Sequence, residues 1–113
     1  MIDIKTNTEN GMLELAISGE VDASSSIHLD NALNEALSVH KKILVDLSGL
    51  DYISSAGLGV FMSYLQQLEK ENIQLVVFGM KEKVFEVFQI LGLDQLLTIT
   101  DTKVAALVKI ENA

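Results

Sequence analysis

The chain of 113 residues contains no cysteine and no proline. Without thiols, neither a disulfide framework nor a thiolate metal site can form, which fits a cytoplasmic protein. With no proline, no low-complexity run and no internal repeat, nothing marks a linker, so one domain over residues 1–113 is expected. No apolar run approaches the roughly 18–20 residues that cross a bilayer. The opening MIDIKTNTEN lacks the basic patch and apolar stretch of a signal peptide. Basic residues are also scarce: 8 against 16 acids, for a net charge of −8. Neutralising phosphates takes clustered Lys and Arg, so neither nucleic acid nor an anionic membrane is expected as a partner. A protein with a basic patch is compatible with this charge, and so is plain solubility.

The constellations of catalysis are missing too. There is no G-x-S-x-G elbow and no G-K-[ST] phosphate loop, and AGLG lacks the third glycine and downstream acid of a dinucleotide loop. A serine nucleophile needs a base. The two histidines are His28, a little over one turn into the first expected helix, and His40 at its C-terminal end. Neither has a partner that suggests a triad. No group of His and acids has metal-ligand spacing. No catalytic residue, cofactor or metal is therefore expected, and the chain is not read as an enzyme.

What is present is a patterned, core-forming sequence. The hydrophobic share is 49%, and the 21% of charged residues form no block, so a disordered chain is excluded. Ile2 and Ile4 alternate with polar residues, NTENG makes a turn, and Leu13, Leu15 and Ile17 alternate again, which predicts a β-hairpin. From about Ser25 to Val39, Leu29, Ala32, Leu33, Ala36 and Leu37 share a helical face. Ile43, Leu44, Val45 and Leu47 form a short apolar strand that closes at Ser48-Gly49. Leu58, Phe61, Met62, Leu65 and Leu68 then give one helical stripe from about Ser55 to Glu71. Ile73–Gly79 is a buried strand. Val84, Val87, Phe88 and Leu91 make a helix stopped by Gly92. LLTIT is a fifth strand. A last helix follows, capped by Thr100 or Asp101, with Val104, Leu107 and Val108 on one face. The order β β α β α β α β α predicts an α/β fold: a mostly parallel five-stranded sheet with one antiparallel edge strand and about four helices.

Loops that follow parallel strands carry function in such sheets. Two stand out: Gly19-Glu20-Val21-Asp22-Ala23-Ser24, and Asp51-Tyr52-Ile53-Ser54-Ser55. If the second and third strands are parallel neighbours, Asp22 and the serine pair lie at one edge of the sheet. One serine suffices to cap the helix, at about 1 kcal/mol. Gly57 and Gly59 each cost about 1 kcal/mol against alanine inside a helix. Either they permit tight packing on the sheet, or they leave the backbone bare for another molecule.

The chain resembles the STAS-domain anti-sigma factor antagonists of bacteria over nearly its whole length. SGEVD is similar to the family's G-E-[ILV]-D loop. ILVDLSGLDYISSAGLGVF is similar to its strand–loop–helix signature, which usually ends D-S-[STA]-G-L-G. QILGLDQLLTI is similar to its later helix–strand junction. The resemblance implies that Ser55 is the residue phosphorylated by an anti-sigma factor that is also a serine kinase. It places the family's loop aspartate at Asp22. Ser54 stands where the family usually has aspartate, which makes Ser54 the alternative acceptor. Asp22, Ser54, Ser55, Gly57 and Gly59 are the implied partner-binding residues. The implied function is partner switching: the unphosphorylated protein binds the kinase and frees a sigma factor, phosphorylation ends binding, and a PP2C-type phosphatase restores it. Two rivals stand beside this. One is a constitutive STAS subunit of a transport system or signalling scaffold. The other is a small flavodoxin-shaped enzyme, which the missing phosphate loop and base disfavour.

Overall fold

A computed structural model describes residues 2–111. β1 (Ile2–Glu9) and β2 (Met12–Val21) pair antiparallel, from Ile2 opposite Gly19 to Glu9 opposite Met12. The two residues between them, Asn10 and Gly11, both have positive φ (54° and 78°). A two-residue turn of that kind matches the twist of its strands. The chain continues through α1 (Ser26–Val39), β3 (Lys42–Ile53), α2 (Ser55–Ser63), α3 (Leu65–Lys70), β4 (Gln74–Phe78), α4 (Glu82–Ile90), α5 (Leu93–Leu96), β5 (Thr98–Thr100) and α6 (Lys103–Glu111). The strands lie in one sheet in chain order, and β2 to β5 are all parallel. The expected α/β architecture, with β1 as the antiparallel edge, is what the chain adopts.

The core follows from strand alternation. Leu13, Leu15 and Ile17 of β2, Ile43, Val45 and Leu47 of β3, and Leu75 and Val77 of β4 point to one face. Helices α1, α2 and α4 cover it with Leu29, Leu33, Leu37, Leu58, Phe61, Val84 and Phe88. The Phe61 and Phe88 rings meet at 5.7 Å and 59°, a tilted arrangement that favours the ring quadrupoles. The opposite face carries a smaller core of Leu44, Val76 and Phe78 under Ala106 and Ile110 of α6. Coverage of both faces matches the unbroken apolar runs Ile43-Leu44-Val45 of β3 and Leu75-Val76-Val77-Phe78 of β4.

Several elements differ from the sequence expectation. Six helices are present among the described residues instead of about four. The helix expected over 55–71 breaks at Tyr64. The Ser63 hydroxyl takes the Val60 carbonyl at 2.6 Å, the acceptor that the Tyr64 N–H would use in an α-helix. That N–H turns to Phe61 O at 3.2 Å. Tyr64 is then anchored to α1, its O–H donating to the Asp30 carboxylate at 2.5 Å. Gly92, with φ 74°, ends α4 as expected but also begins the single turn of α5. Met62, expected in the apolar stripe, is 45% exposed.

The strands differ as well. β2 and β3 run further than their apolar cores suggest, through Val21 and Ile53, while β5 is only Thr98–Thr100. Buried Leu50 and Ile53 hold the extension of β3, and two register shifts let it pair with Gly19, Glu20 and Val21. The last helix turns a different face inward: Ala106 and Ile110 are buried, while Val104 and Val108 are 73% and 51% exposed. The small Ala106 lets the backbone approach the sheet closely. Neither Thr100 nor Asp101 caps it; Thr102 Oγ1 accepts the Ala105 N–H at 3.2 Å.

Tyr64→Phe tests the α1–α2 tie. Loss of one partly buried hydrogen bond to a carboxylate is expected to remove about 1–2 kcal/mol. Denaturant unfolding should show it as a lower midpoint with unchanged slope. The hydroxyl's burial, and next the Asp30 hydrogen bond, push the Tyr64 pKa up to about 12. The neutral phenol therefore contributes fully below pH 10, and the contribution fades as pH rises toward 12, so wild type and variant should converge there.

Candidate functional site

β2 and β3 deliver the two candidate loops to the same end of the sheet because they are parallel neighbours. Val21 pairs with Ile53, and the next residue is tied as well: the Ser54 N–H donates to the Val21 carbonyl at 2.8 Å. The backbone of Asp22 therefore leaves β2 beside the serine pair that opens α2.

The two serines have different surroundings. Ser54 is the N-cap of α2, with extended backbone (φ −85°, ψ 172°), and its side chain accepts the Gly57 N–H at 3.3 Å. It also accepts the Leu58 N–H on its carbonyl at 3.0 Å. Ser55 is the first helical residue. It is exposed, and its hydroxyl has no hydrogen-bond partner among the described residues. Residues four and seven further on share its flank of the helix. They are Gly59 and Met62, both exposed.

The two glycines also separate. A Cβ on Gly57 would lie 2.7 Å from Ile53 Cγ1 and 2.7 Å from Val21 Cγ1. Gly57 is buried, and its bareness lets α2 sit on the ends of β2 and β3. The idea that it clears space for a visiting molecule is corrected: its neighbours are the protein's own core. A Cβ on Gly59 would meet nothing within 4 Å, so that position faces open space.

Asp22 organises its own loop. Its carboxylate accepts from Ser24 Oγ at 2.8 Å, the Ser25 N–H at 2.9 Å and Ser25 Oγ at 3.0 Å. In return the Asp22 N–H donates to Ser25 Oγ at 2.9 Å. The reciprocal pair closes the turn just ahead of α1, whose own N-cap, Ser25, makes no side-chain cap bond. The Ser24 hydroxyl above all, then the Ser25 N–H and hydroxyl, hold the Asp22 carboxyl down to about 2 from its usual 3.8. The depressed value means the charged loop is complete above about pH 4 and is lost as pH falls through 2. Protection of the Ser25 amide, its exchange relative to an unstructured peptide at the same pH, should fall over that window, and in Asp22→Ala it should be low at every pH. An unchanged Ser25 rate in the variant would show the carboxylate to be a bystander.

Sequence reasoning missed Ser25 as the partner of Asp22, although the D-x-x-S spacing is the signal for such a loop. It also missed Lys81, the residue before α4, whose Nζ pairs with the Asp51 carboxylate. That hydrogen bond, and next the charge of Lys81, hold the Asp51 pKa below the usual carboxylate range. Thirty residues separate the two, and no local pattern connects them. Half-exposed Tyr52 lies next to this pair in the chain.

Comparison with known proteins agrees with this architecture. The STAS domain model matches residues 3–106. An anti-sigma-B factor antagonist of Listeria monocytogenes is 31% identical over 104 residues, covering 90% of each chain. One from Staphylococcus aureus is 27% identical over 101 residues, covering 88% of this chain and 94% of its own. The crystal structure of an anti-sigma factor antagonist from Mycobacterium paratuberculosis superposes with a TM-score of 0.89 at 21% identity, covering 98% of this chain and 95% of its own, which speaks for the fold. Among the described residues no helix is long and apolar enough to cross a membrane. A sheet in chain order with one antiparallel edge, an Asp22 loop against a serine-capped helix, and a family match over residues 3–106 agree on one conclusion: the chain belongs to the STAS-domain family of anti-sigma factor antagonists.

Proposed function

We propose that this protein is an anti-sigma factor antagonist whose binding is switched by phosphorylation of Ser55. In its unphosphorylated form it binds an anti-sigma factor that is also a serine kinase, and a sigma factor is released. Phosphorylation of Ser55 ends the interaction, and a PP2C-type phosphatase restores it. The protein is a regulatory binding module and not an enzyme, it works in the cytoplasm, and residues 1–113 supply its STAS domain. The observation that carries this proposal is the division of labour between the two serines: Ser54 is used as the helix cap, while Ser55 is exposed with an unengaged hydroxyl. An acceptor must enter a kinase active site without unravelling its own helix, and only Ser55 meets that condition.

The docking surface we assign is the exposed flank of α2 with the loop beside it. Ser55 and Gly59 supply it from the helix, and Asp22 supplies a fixed negative charge from its loop. A phosphate on Ser55 would sit at the positive end of the α2 dipole, where free N–H groups favour anions. The fold therefore tolerates the modification, and the surface carries the signal.

Paired alanine variants test the assignment. Ser55→Ala is expected to melt like wild type and to take up no phosphate from the kinase. Ser54→Ala is expected to keep incorporation at Ser55 and to lose about 1 kcal/mol of stability, roughly 4 °C in Tm for a domain of this size. Mapping the phosphopeptide by mass spectrometry gives the site directly. Label on Ser54 in the wild type, or incorporation that survives Ser55→Ala, would overturn the assignment. If no kinase modifies the protein and it binds its partner constitutively, the scaffold-subunit alternative takes its place.

A further inference from the structure

The edges of the sheet are unequal. β5 has three residues, so it offers little to a passing strand. β1 has eight, paired with β2 residue for residue without a bulge. Its outer side faces no other strand among the described residues. Native proteins blunt such edges with proline, bulges or shortness. None of the three protects β1, which leaves its charged side chains, Asp3, Glu9 and the one lysine, Lys5.

That lysine is matched within the strand. Antiparallel pairing of β1 with a second β1 about a two-fold axis keeps each side chain on its own face only when the axis passes through a residue. With the axis at Ile4, Asp3 falls opposite Lys5 in both halves of the pair, and Ile4 falls opposite itself. With the axis at Lys5, two lysines oppose each other. With the axis at Thr6, Asp3 meets Glu9. With the axis at Asn7, Lys5 meets Glu9, but the two isoleucines are left outside the pairing. The Ile4 register alone joins charge complementarity to apolar contact. Ile2 and Ile4 are half-buried on the face that α1 covers, while Asp3 and Lys5 are exposed on the other.

We propose that β1 is a self-association edge: two copies of this chain pair their β1 strands antiparallel about Ile4, with Asp3 of each opposite Lys5 of the partner subunit. The occupant is a second copy because the charges are self-complementary about a single residue, as an isologous contact requires. The contact joins two sheets into one of ten strands. It lies at the opposite side of β2 from the turn that carries Ser55, so it leaves the α2 flank open in both copies. The overlap is short, so the dimer is weak and forms at high protein concentration. The net charge of −8 opposes association at low salt, and screening at about 0.15 M confines that repulsion to roughly 8 Å.

Sedimentation velocity of the full chain, from about 10 μM to about 1 mM at physiological salt, gives the test at concentrations where weak contacts register. Wild type is expected to show a concentration-dependent shift from monomer to dimer. Asp3→Lys places lysine opposite lysine twice and is expected to weaken the dimer at least about 10-fold. The exchange Asp3→Lys with Lys5→Asp rebuilds both pairs and is expected to return the dimer to within about threefold of wild type. Both positions are exposed, and a melting curve for each variant confirms folding. A wild type that stays monomeric at the highest concentration overturns the proposal. A dimer that persists unchanged in Asp3→Lys overturns it too. Failure of the exchange variant to recover overturns the Ile4 register and the proposal with it.

Discussion

Gly57→Ala is expected to lower the stability of this protein, and Gly59→Ala, two residues along the same helix, is expected to raise it. On helix propensity alone both should gain about 1 kcal/mol, because each removes a glycine from a helix interior. Surroundings decide the sign. At Gly59 a methyl group meets nothing within 4 Å, so the propensity gain survives. At Gly57 the same methyl would lie 2.7 Å from both Val21 and Ile53. Those side chains are 0% and 2% exposed, and both are β-branched and stiff about χ1. They cannot turn aside, so α2 must lift from the sheet. Overpacking of this kind costs about 1–3 kcal/mol, which outweighs the propensity gain over most of that range. Gly57→Val adds two more methyls with little gain in propensity, and about 3 kcal/mol or more is expected, on the order of 10 °C in Tm. Thermal melts of the three variants give the answer. Equal gains for Gly57→Ala and Gly59→Ala would show that α2 sits more loosely on the strands than these distances imply.

The glycines also show where a sequence stops being legible. Both positions were visible as costly residues that demanded a reason, and two reasons were available. Choosing between them needs the distance from Gly57 to Val21, a residue 36 positions earlier, which no local pattern contains. The parallel placement of β2 and β3 was legible, because it follows from alternating strands and helices and from the apolar run at Ile43–Val45. The ends of those strands were not. Gly19, Glu20 and Asp51 look like loop residues, yet strand pairing carries the chain through them to Val21 and Ile53. The break at Tyr64 was hidden because Leu65 and Leu68 keep the helical period across it. At the break the Ser63 hydroxyl takes the Val60 carbonyl and the Tyr64 N–H turns to Phe61. On α6 the valines at 104 and 108 drew attention by hydrophobicity, while fit to the sheet favoured the smaller Ala106. In each case the pattern reported a tendency, and a competing contact at short range decided the outcome.

Phosphorylation of Ser55 is expected to weaken binding to the anti-sigma partner by about 10- to 1000-fold, which corresponds to roughly 1.4–4 kcal/mol. The added group carries about −1.5 to −2 charges. Ser55 lies on the exposed flank of α2 with Gly59, so a partner docked there must cover the phosphate and strip its water. A buried charge without a matching cation is costly, and one such group accounts for the whole range. The Asp22 carboxylate, itself negative and tied to its own serines, offers no compensation. Stability should respond very differently. The phosphate sits at a helix N-terminus, where dipole and free N–H groups stabilise negative charge, so Tm should stay within about 2 °C of the unmodified protein. Ser55→Asp supplies one charge and fewer acceptor oxygens, and should reproduce part of the loss in affinity. Ser55→Ala should bind at least as well as wild type, because a small uncharged residue leaves the flank free. Titration of the four proteins against the partner, each with its melting curve, separates surface from fold. A phosphoprotein that binds as tightly as the unmodified form would end the switch and leave a constitutive interaction domain. A phosphoprotein that loses affinity only because it melts early would place the effect in the fold, and Ser54, as the cap of α2, would become the residue to examine.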